Sequence, residues 1–299
     1  MSADVITQTP VSLEKRHRGG STWWSNVASL LFAHYIPMII ALVVIAFPLL
    51  WMLSSSLKPS AEIVTSTPSF LPDDATTQNY QDVASALPLG RLLFNSAVTT
   101  IAGTLIKVVL AITTAYAVVF IDVPHRNVFF MFILAALMFP SEAAIIPNYM
   151  TVASLGGRNT LWGIILPGLG TAFGTFLLRQ QFLSLPKSLL EAAELDGAGH
   201  WRKLFQIVAP VTIPTIATVA LITMVNEWNN FLWPLIIVDT PAHMTLPVGL
   251  NLLKSAESSA GLYGTLMAGA TIIIVPVLIV FAALQKYIVA GLTQGAVKE

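Results

Sequence analysis

The sequence predicts an all-α membrane protein with six transmembrane helices, and three observations carry that prediction. Of its 299 residues, 55% are hydrophobic and only 10% charged, whereas a soluble domain carries about 25% charged residues. The apolar residues gather into six blocks, each near or above the roughly 20 residues that a helix needs to cross a bilayer. The Lys and Arg residues are unevenly shared between the segments joining those blocks, as membrane orientation requires.

Taken in order, residues 1–35 are polar at their start and carry a basic cluster, Lys15, Arg16 and Arg18. The first block ends at Leu57-Lys58-Pro59 with no small-residue cleavage pattern, so a retained cytoplasmic tail is expected rather than a signal peptide. The blocks cover 36–57, 92–120, 128–149, 161–182, 208–237 and 263–288, and together they define a transmembrane domain over 36–288. The second and fifth exceed one straight crossing, which predicts tilt or extension beyond the bilayer. Residues 289–299 form a C-terminal tail.

With the N-terminus inside, the inner segments hold Lys15, Arg16, Arg18, Arg126, Arg179, Lys187, Arg202, Lys203, Lys286 and Lys298, against Lys58, Arg91, Arg158 and Lys254 outside. Both termini are therefore expected in the cytoplasm. The outer segment 58–91 is rich in Pro, Ser and Thr and has room for a short helix over 79–86. It reads as a solvated linker or as a contact surface for an external partner. Pro37, Pro48, Pro140, Pro167, Pro214 and Pro276 fall inside apolar blocks and predict kinks, and Gly170-x-x-x-Gly174 permits close helix packing.

The loop over 183–207, between the fourth and fifth blocks, is the most informative segment. Pro186 suits a helix start. Ser188 and Glu191 have the spacing of a capping box, and Leu189, Leu190, Ala193 and Asp196 recur at helical spacing. Gly197 and Gly199 offer a helix end, because glycine tolerates the left-handed conformation. Small Ala192 and Ala193 would let another protein's backbone approach. An amphipathic helix lying on the lipid surface is the alternative, but an anionic leaflet would repel the acidic residues.

Glu191-Ala192-Ala193, Gly197, Ile207 and Pro210 resemble the EAA signature of binding-protein-dependent ABC importer permeases, with the same spacing throughout and Ala209 where Leu is usual. Asp196 and Ala198 complete the Asp-Gly-Ala of carbohydrate-type members. Phe139-Pro140, Ile146-Pro147-Asn148-Tyr149, Trp228-Asn229 and Phe231-Leu232-Trp233-Pro234-Leu235 extend the likeness. The resemblance implies a type I importer permease in a bacterial inner membrane, with a cytoplasmic coupling helix between helices 4 and 5. It implies a second permease subunit, an extracytoplasmic solute-binding protein and an ATPase dimer that holds the ATP and Mg, with no cofactor on this chain and no enzymatic activity of its own. Glu191, Ala192, Ala193, Asp196, Gly197 and Ala198 would then couple to the ATPase. The end of the chain is similar to the tail of maltose-type permeases that reaches the ATPase dimer, which would involve Gly291, Leu292, Thr293 and Gly295.

Lys107, Glu142 and Glu227 fall within apolar blocks, where charge is expensive. Asn226, Glu227, Asn229 and Asn230, beside Phe231 and Trp233, have the amide, carboxylate and aromatic groups that suit a polyol in a translocation pathway. Hydrogen bonding between helices is the competing role. Lys107 would snorkel or pair with a carboxylate of another span, and Glu142 reads as interfacial. The net charge is zero, which argues against nucleic acid as a partner. No cysteine is present, the five histidines lack metal-ligand spacing, and no phosphate-binding Gly-rich loop occurs. The cargo read here is a sugar or related polyol, with a glycerol phosphate as the alternative. A self-sufficient secondary transporter would predict matched broken segments in two halves, and no internal repeat supports it.

Overall fold

Lipid offers backbone N–H and C=O groups no partner but each other, so helices are the form that long apolar blocks take. The structure, a computed structural model, describes residues 35–63, 65, 69–256 and 263–293, and every regular element among them is helical. The basic cluster at Lys15, Arg16 and Arg18 lies outside the described residues.

The main helices are α1 (Ile36–Ser56), α2 (Gln78–Ala86), α3 (Leu89–Phe120), α4 (Arg126–Leu137), α5 (Ile145–Ser154), α6 (Leu161–Ile165) and α7 (Ala172–Leu183). They are followed by α8 (Lys187–Leu195), α9 (His200–Lys203), α10 (Ile213–Trp228), α11 (Leu232–Ile237), α12 (Leu246–Ala256) and α13 (Tyr263–Thr293). The chain divides into two compact units, Met1–Trp51 and Met52–Glu299. The described part of the first is the apolar run of α1, in which Phe47 and Trp51 stack with ring centres 6.2 Å apart.

Among the described residues, α1, α3 and part of α13 are each long and apolar enough to cross a membrane unbroken. The other three expected spans are broken helix pairs, bent by 93° between Arg126–Leu137 and Ser141–Ser154, by 49° between Leu161–Gly168 and Ala172–Leu183, and by 83° between His200–Val211 and Ile213–Trp228. Six spans are counted only if each bent pair is one crossing. The breaks fall at Pro140, at Leu169–Thr171 just after Pro167 and, beside Pro214, at Thr212. Proline has no N–H to give to the carbonyl four residues back. For Pro167 that carbonyl is Gly163's, and the Trp233 indole supplies the missing donor at 3.1 Å. Pro48 and Pro276, by contrast, sit inside unbroken helices. The fifth block, expected as one long tilted helix, breaks a second time at Asn229 and Asn230 before α11.

The 32-residue α3 is the axis of the unit. At 1.5 Å per residue it runs about 48 Å, beyond the roughly 30 Å of hydrocarbon. Its buried face recurs every three or four residues: Asn95 and Ser96, Thr99 and Thr100, Gly103 and Thr104, then Ala111, Ile112 and Ala115. Apart from Asn95 and Ile112 these are small or hydroxylated side chains, the kind that let membrane helices approach closely, and α7 and α10 pack along them. Two hydrophobic clusters result. One joins Leu92 to Val83, Trp228, Leu246, Val248 and Ala268. The other joins Ala111, Ala115 and Tyr116 to Leu178, Phe182, Leu204, Val208 and Val219.

The segment 58–91 is more than a linker. Asn79 of α2 donates to the carbonyls of Ser56 and Lys58 at 2.9 and 2.7 Å. It also lies so close to Gly264 of α13 that a β-carbon there would come within 2.7 Å of it. Near the start of α3, Asn95 donates to the carbonyls of Ala242 and Met244, and Ser96 accepts from the amide of Leu246.

The glycine pair of the fourth span behaves unequally. A β-carbon on Gly174 would lie 2.8 Å from Thr171 Oγ1, 3.0 Å from Val219 Cγ1 and 3.2 Å from Ala111 Cβ, so this glycine is where α3, α7 and α10 converge. Gly170 has nothing within 4 Å of that position and is no packing contact. Gly174→Leu is therefore expected to destabilise the fold by about 1–3 kcal/mol through overpacking, read as a lower Tm in detergent. Gly170→Ala is expected to leave the Tm unchanged.

Candidate functional site

In the 183–207 loop, α8 starts after Pro186, whose fixed φ and absent N–H suit that position. The capping box does not form. Pro186 takes the cap position, Ser188 falls inside the helix, and no side chain caps the end. The C-terminal end behaves as expected. Gly197 is left-handed, with φ of 69°. Its N–H bonds to the Glu194 carbonyl at 2.9 Å, and the Ala198 N–H reaches back to the Ala193 carbonyl at 2.9 Å. This is the two-bond Schellman termination, which gives the last carbonyls of a helix their donors. Gly199 has φ of −70°, so it needs no special freedom, and it begins α9.

The loop is fastened at several points. Leu190 packs against the cluster around Tyr116, Leu178 and Phe182. Ala193 and Ala198 are buried beneath the turn, so Ala193 is turned toward its own chain rather than free for a partner. His200 Nδ1 lies 3.3 Å from the Tyr116 hydroxyl of α3, with the two rings edge to face. Lys203, nearly buried, donates to Glu194 at 2.6 Å. Hydrogen bonding and charge from Lys203 hold the Glu194 carboxyl below its ordinary range. A π-helical turn over Leu204–Val208 then leads into the bent fifth span. What remains outside is Glu191, Ala192 and Asp196, together with Leu195 at 91% exposure and the stacked pair Trp201 and Phe205.

A second candidate lies between the two hydrophobic clusters. Lys107, in the middle of α3, pairs with Glu227 near the end of α10, which supplies the partner that the sequence could not. Both side chains are largely buried, at 14% and 13% exposure. They border a cavity of about 800 Å³ that Asn226, Thr114, Thr171 and Thr223 also line. Glu227 also faces a smaller cavity of about 210 Å³, shared with Glu142, Asn148, Asn230 and Trp233. Of the predicted pathway residues, then, Asn226, Glu227 and Asn230 reach these cavities. Asn229 lines neither and returns its amide to the Val225 carbonyl. Phe231 packs into the first cluster instead. Glu142 sits on the turn at the break of the third span, not at the end of a straight helix.

Gly291, Leu292 and Thr293, expected in a tail, continue α13 without a break. Gly295 lies outside the described residues.

Comparison with known proteins adds a family. A profile described as "Binding-protein-dependent transport system inner membrane component" matches residues 107–294. The chain is 32% identical over 273 residues to the sn-glycerol-3-phosphate transport system permease protein UgpE of Brucella suis, covering 89% of this chain and 96% of the relative. It is 34% identical over 255 residues to the arabinooligosaccharides transport system permease protein AraQ of Halalkalibacterium halodurans, covering 84% and 91%. In fold it is similar to a chain of a bacterial ABC transporter involved in the import of the acidic polysaccharide alginate. The TM-score is 0.77, with 22% identity over 89% of this chain and 98% of that one.

The Lys203 to Glu194 bridge is expected to control how firmly α8 is held. Lys203→Met should speed amide exchange across 187–198 about threefold to tenfold in hydrogen-exchange mass spectrometry. Because the folded carboxyl is held below its ordinary range, the bridge persists through mild acid and its contribution is lost only as pH falls through that lowered value. After correction for intrinsic rates, protection of α8 should match between pH 7 and 5.5 and fall only at lower pH.

Proposed function

The chain belongs to the inner-membrane components of binding-protein-dependent transport systems, and from that premise we propose that it is the permease subunit through which an ABC importer passes a sugar or related polyol. The solute is delivered by an extracytoplasmic binding protein. ATP and Mg are bound by a separate ATPase dimer, and a second permease subunit completes the passage. Both termini face the cytoplasm, in keeping with the Lys and Arg distribution.

The observation that carries the coupling role is the Schellman-ended helix α8, closed by left-handed Gly197 at the EAA spacing. Glu191, Ala192 and Asp196 are exposed and form the docking side, while Ala193 and Ala198 lock the helix to its own chain. Because Tyr116, His200 and Lys203 fasten this loop to α3 and to the fifth span, motion of the ATPase would reach the transmembrane helices as a rigid-body displacement. The end of α13 at Gly291, Leu292 and Thr293, with Gly295 beyond it, supplies a second contact to the ATPase.

A polyol cargo is supported by the amide, hydroxyl and aromatic groups around the larger cavity and by the name of the arabinooligosaccharide relative. A glycerol phosphate remains the second reading, favoured by the relative from Brucella suis.

Affinity purification from native membranes in mild detergent is expected to recover a soluble ATPase and a second multi-span permease. An active complex with no ATPase would refute the reading. Gly197→Val forces a β-branched residue into the left-handed region, at about 1–2 kcal/mol. Assembled complexes carrying it should lose most of the ATP turnover that solute-loaded binding protein stimulates, whereas Gly199→Ala should retain it.

A further inference from the structure

Charge is scarce on the wall of the larger cavity, and where it stands bears on what the cavity admits. Among the described residues that line it, Lys107 and Glu227 are the two that carry charge, and each is the other's partner. Unpaired, either group would be costly at so low an exposure. Glu227 has a further need of a cation. It is the next-to-last residue of α10, where the helix's free carbonyls already concentrate partial negative charge. Lys107 reaches it from the unbroken middle of α3.

Two glycines make room for the pair. A β-carbon on Gly103 would come within 3.1 Å of Glu227 Oε2, and one on Gly168 within 3.4 Å of Lys107 Nζ. The pair is thus seated in a cradle built from three spans rather than left at a helix surface. Around it the wall presents the hydroxyl-bearing Thr114, Thr171 and Thr223, the Asn226 amide, and the rings of Phe129 and Phe173.

We propose that the Lys107–Glu227 pair sets the charge preference of this cavity. Joined, the two groups offer hydrogen-bond donors and acceptors with no net charge, which suits an uncharged polyhydroxylated solute. Glu227 is the specificity-determining member, because it keeps the Lys107 ammonium from drawing in an anion. This step rests on the transport reading above and gives its solute a charge class.

The test uses the whole importer complex in nanodiscs without its binding protein, dialysed to equilibrium against radiolabelled arabinotriose or sn-glycerol 3-phosphate. The wild type should retain arabinotriose over the phosphate by about fivefold or more. Glu227→Gln leaves Lys107 positive and should reverse the preference by a similar factor, with the gain abolished at high salt. The uncharged double variant Lys107→Met with Glu227→Gln should return the preference to arabinotriose. A merely structural role predicts instead that it behaves like the single variant. If Glu227→Gln fails to assemble, the charge swap Lys107→Glu with Glu227→Lys takes its place and should keep the wild-type preference.

The proposal is overturned if the wild type retains neither probe or favours the phosphate. It is equally overturned if Glu227→Gln keeps the wild-type preference, if the double variant takes the anion, or if the swap loses the preference. ATP turnover stimulated by binding protein is read on the same preparations. Its absence in the wild type counts against the transport reading, whereas normal turnover with unchanged preference counts against the charge assignment alone.

Discussion

Close approach of backbones along α3 is the constraint on which the rest of the second unit depends. In lipid, burial of apolar surface gives helices little reason to prefer each other over acyl chains, so dispersion contacts and hydrogen bonds must hold them. Those require small side chains at the contact, and α3 supplies them from Asn95 through Ala115. Gly174 on α7 answers from the other side, meeting Ala111 and Val219 at a close crossing. Once these helices are close, breaks elsewhere become tolerable, because their freed carbonyls lie beside other protein. Gly163, served by the Trp233 indole, is the clearest instance.

The same closeness explains why a lysine and a glutamate can occupy the middle of the protein. Neither is stable there alone, and neither helix could position its charge unless the two backbones were held in register. Along α3, Lys107 stands between Leu92 of one hydrophobic cluster and Ala111 of the other. The pair's cradle depends on glycine at Gly103 and Gly168, positions that hydropathy counts as neutral.

Much of the architecture was legible in the sequence, and the failures have identifiable physical causes. The six apolar blocks, the short helix beginning at Gln78 and the left-handed Gly197 follow from local chemistry, and local chemistry decided them. The prolines announced bends at Pro140 and beside Pro214, but their size was not legible, because an average over twenty residues is the same for a straight helix and for two bent ones. Proline alone does not settle the matter, since Pro140 stands at a 93° bend while Pro276 lies inside an unbroken helix. The capping box failed because Pro186 pre-empts the cap by its fixed φ, leaving Ser188 two residues too deep. The partner of Lys107 lies 120 residues away, a separation no spacing rule reaches. The stripe of Ser, Thr, Gly and Ala along α3 was a readable signal of that helix's central place, but its four-residue recurrence went unread.

Along α3, Asn95 meets the loop before α12, Lys107 meets Glu227, and Tyr116 meets His200. These three meetings lie on one uninterrupted helix, whereas the third, fourth and fifth spans each carry a joint. The unit is in effect a strut beside four elbows, two of them in the fifth block. A displacement applied at one end of an unbroken helix is carried along it as a body, whereas a jointed segment can absorb it as a change of angle. Timing along such a member would be set by its bends, not by its length.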